Sequence, residues 1–163
     1  MVGKAQSCQE CVRAFESACS LLIYPDPRLR LRALTQPTHA MLACVNRLAV
    51  TALALDGCGI NSVQIGQPIG VILTSGYQMW TRARMLLFSL VRIVELGRTF
   101  VCALEGCLSL SKVFKRTSRH NTIVVICVNI TSARVRAFKT QGLLATCCQH
   151  ELDHNNASLI IDT

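Results

Sequence analysis

An α+β fold follows from three features of the sequence: a helical apolar repeat in the first third that ends at a glycine, a series of short β-branched segments through the middle, and a polar helical stretch near the C-terminus. With 163 residues the chain suits one domain, and a chain of that size buries roughly two-thirds of its unfolded surface.

Residues 1–20 are mixed in polarity and read as an appendage to a domain at 21–163. They lack the continuous apolar core of a signal peptide, and Glu10 and Glu16 depart from an acid-poor transit peptide. Cys8 and Cys11 have CxxC spacing but no second pair nearby, which argues against a zinc or redox site. In "YPDPRLR" (24–30), Pro25 and Pro27 exclude regular helix and predict an extended turn. Over 38–55, Met41, Leu42, Val45, Leu48, Ala49, Ala52 and Leu55 recur at three- and four-residue spacings, with Pro37 before and Gly57 after. That pattern predicts an amphipathic helix with a defined stop.

After the glycine-containing "GCGINSVQIG" (57–66), the segments "PIGVILTS", "RMLLFSLVRIVEL" and "NTIVVICVNI" read as strands, and alternation in "ITSARVRAF" predicts another. Residues 141–154 read as a helix, and "SLIID" as a short closing strand.

The apolar runs are too short to span a bilayer, which excludes a transmembrane helix and predicts a chain that does not enter membranes. The net charge of +8 includes two basic clusters, Arg28, Arg30 and Arg32, and Lys112, Lys115, Arg116 and Arg119. No aromatic ladder or nucleic-acid motif accompanies them, so they read as solvated surface, compatible with diffuse affinity for anionic partners such as ribosomal RNA. Without a secretory signal, the ten cysteines read as free thiols, most of them core filler.

"QHELDH" (149–154) concentrates the candidate chemistry. On a helix His150 and His154 lie one turn apart on one face, where both imidazoles meet one ion, and Leu143 and Cys147 extend that face and would bury it. Glu151 sits beside them without being a ligand. Taken alone, a polar edge on an ordinary core helix explains the pattern equally well. A catalytic metal usually takes three protein ligands; His39, His120 and Cys107 are candidates for the third. Cys107 stands in "EGCLSL", where Gly106 permits close backbone approach, yet by itself it is equally one more buried cysteine.

Three motifs in order, "GCGINSVQIG", "EGCLS" and "QHELDH", with "YPDPRLR" and "GLLA" beside them, make the sequence resemble the peptide deformylases over residues 22–162. The resemblance implies antiparallel or mixed sheets packed around a central metal-binding HExxH helix, with an N-terminal amphipathic helix. It implies a hydrolase that removes the N-formyl group from the formylmethionine of nascent polypeptides and releases formate. Its ligands to one divalent metal would be Cys107, His150 and His154. Ferrous iron is the usual ion of the family, and Zn2+, Ni2+ and Co2+ suit the same donors. Glu151 would be the general acid/base, and the Gln64 amide and the Leu108 backbone N–H the oxyanion donors. Cys58 and Gly59 would line the substrate main chain, Leu143, Thr146 and Cys147 the methionine pocket, and Glu105 would pair with Arg119. The implied partners are formylmethionyl nascent peptides and the ribosome surface, in the cytoplasm, with organellar targeting open. The alternative is a fold-retaining, catalytically weak binding protein on ribosomes. A zincin-type peptidase shares HExxH, but only nine residues follow His154, with Asp162 their sole acid.

The chain departs from the family pattern at Asn61, Ser62 and Val63, where small apolar residues are usual, and at Ser89, Leu90, Ser111, Phe114, Asn155 and Asn156. It closes at Thr163, without the C-terminal helix of some members. Each buried polar replacement costs about 1–3 kcal/mol unless it finds a partner. The departures bear on efficiency, stability and substrate preference, since none removes a ligand, Glu151 or Gln64.

Overall fold

Every strand pairing in the computed structural model, which describes residues 20–34, 40–75, 85–130 and 133–163, is antiparallel. Strands β1 (Gly59–Asn61), β2 (Val71–Ser75), β3 (Met85–Leu96), β6 (Thr122–Val128) and β7 (Val135–Gln141) form one sheet in that spatial order. A separate two-stranded sheet pairs β4 (Phe100–Cys107) with β5 (Leu110–His120). Helices α1 (Ala40–Ala54) and α2 (Leu143–Asn155) complete an α+β architecture.

The unbroken apolar run of β2 has a direct cause, because its alternate side chains enter two different cores. Val71 and Leu73 pack with Met41, Cys44, Leu48 and Ala52 of α1. Ile72 points the other way, into a cluster with Phe88, Val125, Ala145 and Cys148, the last two from α2. A strand buried on both faces has no polar side to alternate with. Among the residues expected to form the apolar face of α1, Met41, Leu48 and Ala52 are buried, whereas Leu42 and Leu55 are 63% and 42% exposed. The contact with the sheet is narrower than the apolar repeat, and Cys44 completes it.

Three expectations need correction here. "SLIID" holds a 3-10 turn, Ile160–Asp162, in place of a strand. The Asp162 carboxylate accepts the Leu159 N–H at 2.7 Å and pairs with Arg30, and this local cap overrides β propensity. In "YPDPRLR" the Tyr24–Pro25 peptide is cis, and a 3-10 turn, Pro27–Arg30, follows instead of an extended segment. Pro27 opens that turn, where its missing N–H is not needed, and Asp26 caps it by accepting the Arg28 N–H at 2.9 Å. The basic stretch 112–119 is strand β5, and its Arg119 is 7% exposed, so it is no solvated surface charge. In the other basic cluster, Arg28 pairs with Asp26 and Arg30 with Asp162.

The appendage at 1–20, with Cys8 and Cys11, lies outside the described residues except for its last residue, and His39 lies outside them too. The described cysteines are free thiols. No helix among the described residues is long and apolar enough to cross a membrane.

Leu48→Ala, at a fully buried position, lowers unfolding free energy by about 2–5 kcal/mol in urea titrations with an unchanged slope, whereas Leu42→Ala stays within about 0.5 kcal/mol.

Candidate metal centre

Helix α2 and the β4–β5 hairpin lie in contact, and each supplies part of one cluster. The register of the hairpin shifts between Gly106 and Cys107, which ends regular pairing where the cysteine must turn toward the helix. The donor atoms of Cys107, His150 and His154 lie within 4.8 Å of one another, and Cys107 Sγ is 3.3 Å from His154 Nε2. His150 and His154 are buried, Cys107 half-buried. His120, the other described candidate for third ligand, stands apart: its Nδ1 lies 2.7 Å from the Gly97 carbonyl and its ring packs on Phe100.

The orientation of His150 is set by Glu105. The Glu105 carboxylate accepts from Thr117 Oγ1 at 2.5 Å, Arg119 Nε at 2.7 Å, Arg119 Nη2 at 2.9 Å and His150 Nδ1 at 2.9 Å. An ionised carboxylate only accepts, so Nδ1 of His150 carries a proton, and Nε2 is the nitrogen left to face an ion. Burial opposes the charge on Glu105, but the bonds from Arg119, His150 and Thr117 outweigh it and hold the carboxyl down to about 2. Arg119 also donates Nη1 to Asp153 Oδ2 at 2.6 Å, which ties the hairpin to α2 a second time.

Glu151 has the opposite environment. It is 2% exposed and its Oε2 has no hydrogen-bond partner. Burial pushes its carboxyl up to about 8. A methyl group at Gly59 would overlap the Glu151 carboxylate, so only glycine permits this approach of β1 to the helix. Burial, and then the charge of His150, lower His154 to about 3, which keeps it neutral. At His150 burial again opposes charge, but hydrogen bonds with Cys107 and Glu105 raise it to about 11. A thiol and two imidazoles gathered in the interior, beside a carboxylate oxygen with no partner, fit a divalent cation of borderline softness.

Gln64 is held at both ends of its amide. It sits in a 3-10 turn, Ser62–Ile65, where the Asn61 N–H donates to its Oε1 at 2.8 Å. Its Nε2 donates to Ser109 Oγ at 3.0 Å and lies 3.6 Å from Cys107 Sγ. A cavity of about 450 Å³ opens beside these groups, with Cys58, Gly59, Leu108, Thr146 and Cys147 on its walls. Cys58 Sγ and Cys147 Sγ are 3.7 Å apart. Leu143 does not bury the site as expected: it is 46% exposed and forms the rim of the cavity.

The polar departures find partners. Ser62 Oγ accepts the Val71 N–H at 3.1 Å, and Asn61 bonds to the Glu151 carbonyl and to Asn155. Thr117, Ser109 and Asp153 take part in the site without any role given to them by the sequence motifs. The signal for Thr117 was their two-residue alternation with Arg119, visible only once 110–120 is taken as a strand.

Residues 18–163 match the family model described as polypeptide deformylase. The peptide deformylase of Rhizobium meliloti (strain 1021) is 32% identical over 87% of this chain and 82% of its own length, and that of Nitrosococcus oceani 33% over 88% and 84%. The crystal structure of peptide deformylase from Thermotoga maritima matches with a TM-score of 0.77 at 28% identity, covering 87% of this chain and 94% of that one. A plant peptide deformylase shares the fold at 21% identity, with a TM-score of 0.81 over 88% of this chain and 79% of that one.

Glu105→Gln weakens metal affinity roughly 10–100-fold in chelator competition, because the charged acceptor of His150 Nδ1 becomes a neutral amide with one acceptor oxygen fewer. The same change flattens the acid limb of stability. The folded carboxyl titrates near 2 and the unfolded one near 4.5. Its contribution of about 3 kcal/mol is therefore fully present above pH 4.5 and is lost as pH falls toward 2. Chemical denaturation between pH 2 and 6 reads the difference. Gly59→Ala displaces the Glu151 carboxylate and lowers kcat, and the overpacking lowers stability by about 1–3 kcal/mol in chemical denaturation.

Proposed function

This chain belongs to the peptide deformylase family and removes the N-formyl group from the N-terminal formylmethionine of nascent polypeptides, releasing formate; we propose how its own residues divide that work. Cys107, His150 and His154 hold one divalent ion, and Glu151 moves the proton. The observation that carries this reading is the buried carboxyl of Glu151, whose Oε2 has no hydrogen-bond partner, beside three convergent donor atoms.

The ion, when bound, supplies Lewis acidity that polarises water and the formyl carbonyl. Ferrous iron is the ion we propose in the cell, with Zn2+, Ni2+ or Co2+ able to occupy the same thiolate and imidazole donors. Glu151 accepts a proton from the attacking water and returns it to the amine nitrogen as the C–N bond breaks. Formate and a free N-terminus leave together. A carboxyl that burial has brought close to neutrality suits both halves of that transfer. The Gln64 Nε2 and the Leu108 backbone N–H stabilise the oxyanion; Gln64 is already locked by Asn61 and Ser109, so little reorganisation is needed.

Cys58 and Gly59 run beside the substrate main chain, and Thr146 and Cys147, with Leu143 at the rim, enclose the methionine side chain. Residues 21–163 form the catalytic domain and 1–20 an appendage. The net charge of +8 suits approach to an anionic ribosome surface. Likeness to bacterial relatives supports a cytoplasmic site of action, with organellar targeting as the alternative.

Formate release from a formyl-Met tripeptide by anaerobically purified, metal-loaded protein tests the assignment. Glu151→Gln keeps its metal and loses about 10²–10⁴-fold in kcat. A wild type no faster than this variant would leave a deformylase-like binding protein that has lost catalysis. Cys107→Ser loses metal affinity, and full retention would sink the third-ligand assignment.

A further inference from the structure

Two of the polar departures meet each other. Asn61 has no exposed surface, and its Oδ1 accepts the Val63 N–H at 2.8 Å, capping the turn that carries Gln64. Both hydrogens of its Nδ2 are directed at α2: one to the Glu151 backbone carbonyl at 2.7 Å, the other to Asn155 Oδ1 at 2.8 Å. The Asn61 N–H also fixes the Gln64 amide through Oε1 at 2.8 Å. One residue thus touches the backbone of Glu151, the last residue of α2 and the side chain of Gln64.

We propose that Asn61 and Asn155 are a matched pair of positioning residues, in which the Asn61 carboxamide, held by Asn155, sets Glu151 on the helix relative to Gln64 on the turn. The inference rests on the deformylase reading of that site. Either asparagine without the other is unfavourable. With Asn155 gone, one buried Nδ2 hydrogen has no acceptor; with Asn61 gone, Asn155 Oδ1 loses its donor and the helix end its tie. Replacing both removes the contact between them, while the Val63 N–H and the Glu151 carbonyl still lose Asn61, so the cost of the pair falls below the sum of the two single costs. The two departures are therefore dependent on one another.

A double-mutant cycle tests the pairing: Asn61→Ala, Asn155→Leu and the two together, each read by formate-release kinetics and by chemical unfolding of the metal-free protein. Each single change lowers kcat about tenfold with KM within about twofold, and the double variant is no slower than Asn61→Ala, because the contact with Asn155 is already gone there. Unfolding midpoints show the same non-additivity. Losses that multiply in the double variant overturn the proposal, as do single variants with lowered unfolding midpoints and unchanged kcat. Should Asn61→Ala fail to fold, Asn155→Ala at the half-exposed helix end carries the kcat test, and an unchanged kcat there overturns the proposal. A wild type that releases no formate would instead sink the deformylase reading, and the unfolding cycle would still decide the pair.

Discussion

The buried carboxylate of Glu105 is the constraint on which the site and much of its scaffold depend. A negative charge at 6% exposure needs compensation, and Thr117, Arg119 and His150 supply it from β5 and α2. Those bonds fix how the hairpin lies on the helix. Cys107 follows Glu105 by two residues on β4, so the placement that satisfies the carboxylate also brings the thiol to His154. Removing any one partner leaves charge uncompensated in the interior, which is far more damaging than never having buried it.

The helix that receives this hairpin works on two faces. Ala145 and Cys148 pack into the sheet, while Thr146, Gln149, His150, Glu151 and His154 are polar and still buried. Such a helix is stable only if its polar groups are met from outside. Gln149 shows how: its Nε2 donates to the His120 carbonyl at 2.8 Å and its Oε1 accepts the His120 N–H at 3.1 Å, so it stitches α2 to the end of β5. The glutamine that precedes the histidines is thereby a structural partner of the hairpin, and the hairpin in turn covers the reactive groups.

The parts of the fold that were legible in the sequence are those written in local periodicity. Met41, Leu48 and Ala52 announced α1, β-branched density announced β2 and β6, and the spacing of His150 and His154 announced a shared face. What stayed hidden depends on partners distant along the chain. β5 looked like a solvated basic stretch because Lys112, Lys115 and Arg116 mask the inward alternation of Thr117 and Arg119. The closing turn at Ile160–Asp162 depends on Arg30, 132 residues away. Asn61 and Asn155 looked like independent defects, and only their 2.8 Å contact across 94 residues shows that one answers the other.

Two glutamates in one site carry opposite assignments because their surroundings differ, and that difference is the strongest physical argument about the chemistry. Glu105 receives four hydrogen bonds, two of them from a guanidinium, and is held down to about 2. It stays ionised at every pH where the protein works and so can orient but not exchange a proton. Glu151 is as thoroughly buried, its Oε2 has no partner, and burial brings it up to about 8. Desolvation is common to both; donors decide the outcome. A carboxyl close to neutrality gains and loses a proton at little cost, provided nothing grips it. The bare approach of Gly59 keeps the space around that carboxyl free of a side chain. The absence of a donor at Oε2 supports Glu151 as the proposed proton carrier, just as the abundance of donors around its carboxylate suits Glu105 to orientation.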